Sequence, residues 1–241
     1  MANGNDTEAR DVQAQIDASG GLARYQQASI QGQSVQRGGD TSKVLMEWLS
    51  ESAFASTPSE ESRKKLRMLE VGSLRTDNAC SKSGLLHVTR IDLHSQHPGI
   101  KEQDFMDMPI PRAADLEREG FDIVSLSLVV NFVGNPIERG EMLKRVEAFL
   151  RPSELSGNGT LPALFLVLPV ACITNSRYLD EERLEAIMES LLYKKVKGKT
   201  SAKLAYYLWR HEQTSEVKSE PFKKQEIRAG KSRNNFAIIL H

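Results

Sequence analysis

Gly72 and Asp92 stand 20 residues apart, each at the end of a short apolar run. The first run is Met68-Leu69-Glu70-Val71, and the second is His87-Val88-Thr89-Arg90-Ile91. A glycine after one strand lets a ligand lie against the backbone. An acid after the next strand accepts ribose hydroxyls with its two oxygens. Together they point to nucleoside binding. Gly72 is followed by Ser73-Leu74-Arg75, so the G-x-G-x-x-G cradle that a pyrophosphate requires is missing. A nucleoside without phosphate has no need of that cradle. The pair therefore points to S-adenosylmethionine (SAM) rather than NAD or ATP. Glu70, inside the first run, either reaches the ammonium of such a ligand or pairs with Arg67 or Arg90. Ser73 and Leu93, which flank Gly72 and Asp92, complete the expected cofactor contacts.

These residues need strands to hold them, and the pattern supplies strands in alternation with helices. Strand-like runs fall at 68–71, 85–93, 100–105, 121–130, 164–170, 204–209 and 236–240. The run at 121–130 is nearly continuous in apolar residues, as a parallel strand buried on both faces requires. Helical stripes fall at 138–150, stopped by Arg151-Pro152, and after Asp180 through Leu184, Ile187, Met188, Leu191 and Leu192. Between Trp209 and Phe236 no helical stripe appears. A parallel crossover needs a helix, whereas an antiparallel return can use a loop. The last strand, Phe236 to Leu240, is therefore expected to run antiparallel beside the strand 204–209. The expected fold is α/β: a Rossmann-like, seven-stranded, mostly parallel sheet with one antiparallel strand, as in SAM-dependent methyltransferases.

Residues 1–20 read as a flexible lead-in, 21–60 as an N-terminal helical arm, and 61–241 as the SAM-binding domain. Within the arm, one helix spans 22–30 and another is capped by Asp40 or Thr41 and runs through Leu49. At 241 residues and 39 % hydrophobic content, one domain with an arm is the expected size. No apolar run approaches the roughly 18 residues of a membrane helix, and no leader-like segment opens the chain. Cys80 and Cys172 have no metal-ligand spacing, and His94-Ser95-Gln96-His97 has no further Cys or His nearby. No metal and no membrane partner are expected. The chain is neutral in total, yet Lys194 to His241 carries 12 Lys and Arg against 4 Asp and Glu, leaving 20 against 28 elsewhere. That basic C-terminal part is either a nucleic-acid footprint or a solvated lysine-rich face.

Several further segments carry a family resemblance. They are Tyr25-Gln26-Gln27-Ala28-Ser29-Ile30-Gln31-Gly32-Gln33, Arg37-Gly38-Gly39-Asp40, Leu69-Glu70-Val71-Gly72-Ser73, Ile91-Asp92-Leu93, Gln103-Asp104-Phe105-Met106 and Ser125-Leu126-Ser127-Leu128-Val129-Val130-Asn131-Phe132-Val133. In this order they resemble the fungal 25S ribosomal RNA adenine-N1 methyltransferase family. The resemblance implies a nuclear, nucleolar enzyme, expected as a monomer, that methylates one adenine of large-subunit rRNA, free or in a preribosomal particle. It also implies that Asp104 contacts the adenine amino group of SAM and that Phe105 packs on the ring. Asn131 and Phe132 are then the catalytic pair, one holding the edge of the target base and the other stacking on it. The two prolines common at this position in adenine methyltransferases are absent, which argues against chemistry on the amino nitrogen. N1 is different: its lone pair lies in the ring plane, so alignment matters more than a general base. N1 also lies on the pairing edge, so the target must be unpaired or flipped out. Lys194, Lys195, Lys197, Lys199 and Lys203 are the expected phosphate contacts, with Arg37, Tyr25 and Gln26 of the arm as a second group.

Two other classes compete. Animal relatives of the wider family include a SAM sensor, so a non-catalytic SAM-sensing adaptor with a protein partner is the alternative. The basic C-terminal part favours the enzyme. A dinucleotide-dependent oxidoreductase is disfavoured by the missing glycines after Gly72.

Overall fold

The computed structural model describes residues 39–51, 65–95, 97–152, 159–212 and 221–241. The chain divides into two compact units, Met1–Asp40 and Thr41–His241. The expected lead-in, the helix 22–30, Tyr25, Gln26 and Arg37 lie outside the described residues.

The second unit is built on a seven-stranded sheet. Its strands are β1 (Leu66–Val71), β2 (Leu86–Asp92), β3 (Lys101–Glu102), β4 (Ile123–Ser127), β5 (Ala163–Pro169), β6 (Tyr193–Thr200) and β7 (Leu204–His211). Their order across the sheet is β3-β2-β1-β4-β5-β7-β6. The strands from β3 to β5 are parallel, and β7 runs antiparallel to both β5 and β6. Side chains alternate across the central strands, so β5 feeds two cores at once. Leu164, Leu166 and Leu168 enter one, while Ala163, Phe165 and Val167 enter the other.

Helices close both faces. On one side α1 (Ser42–Glu51) turns Leu45, Trp48 and Leu49 onto the sheet, with Trp48 edge-on to Phe165 at 6.1 Å. Next to it lies the short α2 (Ala79–Lys82), which buries Cys80. A further one-turn helix, α3 (Leu116–Glu119), precedes β4. The other face is covered by α4 (Pro136–Arg145), with Met142 and Leu143 inward, and by α6 (Glu181–Ser190), with Leu184, Ile187 and Met188 inward. The one-turn α5 (Ala171–Thr174) follows β5. Asn135 caps α4 through the Ile137 amide with Pro136 in the first turn, and Asp180 caps α6 through the Arg183 amide.

The sheet corrects three sequence expectations. The reversed strand is Leu204–His211, not Phe236–Leu240. Its partner at the edge is the lysine-rich Tyr193–Thr200, which the pattern did not identify as a strand. Lysines on an edge strand hide its β character while blocking edge-to-edge pairing. A tight hairpin joins the two, with the Ser201 amide bonded to the Leu204 carbonyl at 2.8 Å. Phe236 to Leu240 is buried and apolar but lies outside the sheet. The Ile239 amide bonds the Pro136 carbonyl at 3.0 Å, and Leu240 bridges to Phe222. Finally, the helix expected to run to Leu150 is α-helical only to Arg145 and continues as a 3-10 turn, Val146–Phe149.

Candidate functional site

Ligands of open parallel sheets bind outside the carboxyl ends of the strands, where the order reverses. Here that point lies between β1 and β4, and the candidate residues leave the sheet on its rim. Gly72 follows β1 with φ +70°. A Cβ there would stand 2.7 Å from Val129 Cγ2. Conformation and space both demand glycine, and the loops after β1 and β4 touch at this point.

Glu70 is committed within the protein. It accepts from Asn78 Nδ2 at 2.7 Å and from Ser73 Oγ at 3.2 Å, and it faces Arg90 Nε at 3.7 Å. Arg67 turns instead to the carbonyls of Arg118 and Glu119. Of the two arginines, Arg90 is therefore the one that faces Glu70. Ser73 is buried, with its amide on the Ile91 carbonyl at 3.1 Å and its hydroxyl also donating to the Arg75 carbonyl at 3.1 Å. Glu70 and Ser73 thus shape the bend after β1 from within.

Asp92 ends β2. Its Oδ1 accepts the His94 amide at 2.9 Å, and its Oδ2 has no hydrogen bond among the described residues. Leu93 beside it is 53 % exposed, an apolar side chain standing on the rim. Asp104 repeats the arrangement, with Oδ1 on the Met106 amide at 2.7 Å and Oδ2 without a bond among the described residues. Phe105 is not brought to the cleft. It is 3 % exposed, its ring lies 5.3 Å from that of Phe149, and its carbonyl accepts from Arg145 Nε at 3.0 Å. Its reading as a ring for adenine is corrected: the side chain belongs to the core.

The exit of β4 is the strained part of the site. Leu128 adopts φ +59°, a left-handed conformation rare for a branched side chain. Its amide stays on the ladder, bonded to the Val167 carbonyl at 2.9 Å. The reversal it creates leads into a 3-10 turn, Val130–Phe132. On that turn Asn131 Oδ1 is buried without a hydrogen-bond partner among the described residues, and Phe132 is 54 % exposed. An orphaned buried carbonyl leaves a donor wanting. The turn is braced by Arg139, which donates to the carbonyls of Val133 at 2.7 Å, Gly134 at 3.3 Å and Ala237 at 2.8 Å. Its guanidinium lies 4.3 Å from the centre of the Phe236 ring. Nothing in the residue pattern signalled these roles, because each depends on where the fold places the residue: a left-handed backbone at Leu128, a side chain against Gly72 at Val129 and a guanidinium on loop carbonyls at Arg139.

The basic residues divide by position. Lys195 bonds Glu181 Oε1 at 3.2 Å and Glu185 Oε1, Lys197 pairs with Glu51 at 3.2 Å, and Lys199 with Glu47 at 3.3 Å. Burial alone would lower the pKa of Lys195, but the bonds to Glu185 and Glu181 outweigh it and raise it. Lys194 and Lys195 open β6 beside Arg210 and Trp209, near the end where His211 meets Pro162. That is the amino end of β5, about 20 Å from the rim at 3.3 Å per residue. The structure does not bring Lys194 and Lys195 to the site. Lys203, whose carbonyl accepts the Val170 amide at 2.8 Å, does lie at the rim. Among the described residues there is no cluster of three His, Cys, Asp or Glu suited to a metal, and no helix long and apolar enough to cross a membrane.

The strand order, parallel from β3 to β5 with β7 reversed, is that of the Rossmann-like fold of SAM-dependent methyltransferases. A solved Burkholderia thailandensis 1,6-didemethyltoxoflavin-N1-methyltransferase, with bound 1,6-didemethyltoxoflavin and S-adenosylhomocysteine, shares the fold at TM-score 0.54 and 12 % identity, over 78 % of this chain and 86 % of that one. Residues 10–238 match the family described as 25S rRNA (adenine(2142)-N(1))-methyltransferase, Bmt2, and the chain belongs to that family. It is 39 % identical over 230 residues to the 25S rRNA (adenine(2142)-N(1))-methyltransferase of Saccharomyces cerevisiae, covering 95 % of this chain and 63 % of the relative. It is 41 % identical over 223 residues to the 25S rRNA adenine-N(1) methyltransferase of Schizosaccharomyces pombe, covering 90 % of this chain and 76 % of the relative. The chain thus spans less than two thirds of the budding-yeast protein.

Proposed function

We propose that this chain is a SAM-dependent methyltransferase acting on N1 of an adenine in large-subunit rRNA. The observation that carries the reading is the orphaned Oδ1 of Asn131, buried beside the exposed ring of Phe132 at the exit of β4. An adenine seated there donates its amino group to Asn131 Oδ1 and stacks on Phe132. Its in-plane N1 lone pair then faces the cleft beside Gly72. A guanine would set its carbonyl against Asn131 Oδ1, acceptor against acceptor, and its N1 carries a proton. No side chain has to remove a proton from adenine N1, which matches the absence of a clustered general base among the residues of this turn. Alignment is the whole task, and the bracing of the turn by Arg139 performs it.

The residues present fit the cofactor. Asp92 and Asp104 each keep one carboxylate oxygen open, for the ribose hydroxyls and the adenine amino group respectively. Leu93 offers an apolar surface between them, and Gly72 keeps the loop after β1 flat. When bound, SAM supplies a methyl group on a sulfonium sulfur, an electrophile that needs only a lone pair in line. The family supports the further proposal that the chain works in the nucleolus during ribosome assembly, which a fluorescent fusion followed against a nucleolar marker tests.

The direct test is tritium transfer from labelled SAM to large-subunit rRNA from cells lacking this protein, with primer extension to locate the product. N1-methyladenine blocks pairing and stops the polymerase. A single new stop at an adenine, lost with Gly72→Arg, is expected. Measurable SAM binding with no transfer to rRNA or to preribosomal particles would replace this reading with the SAM-sensing adaptor.

A further inference from the structure

The segment from Pro221 to His241 is a strap laid along the rim of the sheet beside the site. Arg228 fastens it, donating to the carbonyls of Ser176 at 3.1 Å, Thr174 at 3.2 Å, Leu179 at 2.5 Å and Ile173. Those four carbonyls belong to α5 and the loop after it, which follow the carboxyl end of β5. A backbone bridge between Ser176 and Asn234 adds to the seam. At its other end the strap meets Arg139, whose guanidinium bonds the Ala237 carbonyl and those of Val133 and Gly134, directly after Phe132. The strap is therefore fixed to both loops that flank the proposed seat of the target base.

Its outward side is cationic. Lys223, Lys224 and Lys231 are exposed, and Arg233 is half-buried beside them. Glu226 is the single acid of the segment. None of these four cations has a carboxylate partner among the described residues, and Lys224 Nζ lies 4.4 Å from the centre of the Tyr178 ring. The lysines at 195, 197 and 199 are instead paired with glutamates on an edge strand, and Lys194 lies opposite Arg210 at the amino end of β5, away from the rim. Free positive charge on a rigid backbone next to a base-sized seat suits a nucleic-acid backbone, and phosphate contacts set register without reading sequence.

We propose that Lys223, Lys224, Lys231 and Arg233 form the phosphate-binding ledge that positions the RNA strand at the site, and that the lysines of β6 do not. The proposal rests on the reading of the chain as an rRNA methyltransferase. It is tested with the full chain, comparing Lys223→Gln/Lys224→Gln/Lys231→Gln with Lys194→Gln/Lys197→Gln. Binding to a large-subunit rRNA transcript is followed from 50 to 200 mM salt, with SAM affinity by calorimetry alongside. The strap variant is expected to lose more than about tenfold in RNA affinity at 100 mM salt, with the salt slope shallower by about 2 for three lost contacts. Its SAM affinity stays at the wild-type value, and replacing the same lysines by arginine restores RNA binding. The β6 variant is expected to keep both the affinity and the slope. A strap variant with unchanged affinity and slope, in a wild type that binds and methylates the transcript, overturns the ledge and leaves the enzyme standing. A wild type that neither binds nor methylates rRNA removes both.

Discussion

The close approach of Val129 to Gly72 leaves no room for even a methyl group on the loop after β1. Gly72→Ala demands a left-handed alanine and a Cβ 2.7 Å from Val129 Cγ2 at once. The expected result is a loss of about 1–3 kcal/mol in stability from the strained backbone, with SAM affinity reduced at least tenfold as read by calorimetry. Adding Val129→Ala relieves the contact but not the backbone, so the double variant should recover only part of the loss. Asn131 separates binding from chemistry. Asn131→Ala removes an acceptor without a partner among the described residues, so folding and SAM affinity should hold. The transfer rate to rRNA should fall by about 10²-fold if that carbonyl fixes the base edge. A rate within twofold of wild type would remove Asn131 from the proposed machinery.

At Gly140 the backbone of α4 packs directly against the strap. A Cβ on Gly140 would meet the Ile239 carbonyl oxygen at 1.9 Å, which is backbone and cannot rotate away. Gly140→Ala should therefore lift the strap from the helix, at a cost of about 1–3 kcal/mol for overpacking. Hydrogen exchange should quicken at the Ile239 amide, which is bonded to the Pro136 carbonyl. The amides of β1 and β5, in the middle of the sheet, should keep their protection. Uniform loss of protection across the sheet would mean that the strap is part of one cooperative unit with the core rather than a layer upon it.

The molecule as a whole carries an alkaline limit. Burial pushes the Cys172 thiol from 9.0 up to about 11, against the pull of Arg139 beside it. Tyr193 and Tyr207 are also raised, chiefly by burial. Each group gives up its proton more readily in the unfolded chain than in the folded one. The contribution of Cys172 is thus complete below about pH 9 and declines as pH rises toward 11, while the tyrosines begin to lose theirs only above their ordinary pKa of about 10. For Cys172 alone the decline is worth about 2–3 kcal/mol, at 1.36 kcal/mol per unit. Urea unfolding at pH 8 and pH 10.5 should show the wild type losing more stability than Cys172→Ala between the two. Equal losses would show that this thiol does not titrate on unfolding in that range.

Periodicity and punctuation made the parallel half of this fold legible. The apolar runs that alternate with helical stripes read as strands buried on both faces, and Gly72 and Asp92 fall at the ends of two of them. Asp180 and the stripe after it located α6 for the same reason. The antiparallel half was not legible. Tyr193–Thr200 is a strand because β7 offers it hydrogen bonds, not because its own residues prefer one. Phe236 to Leu240 has the composition of a strand, yet its burial comes from α4 and Phe222. Charge was the least local property of all. A run of lysines reads alike whether glutamates from α1 and α6 lie opposite or not, and only the folded chain brings those glutamates there. The same holds for Phe105, which joins the core because the Phe149 ring packs against its own, and for Asn131, whose carbonyl is orphaned by the backbone reversal at Leu128.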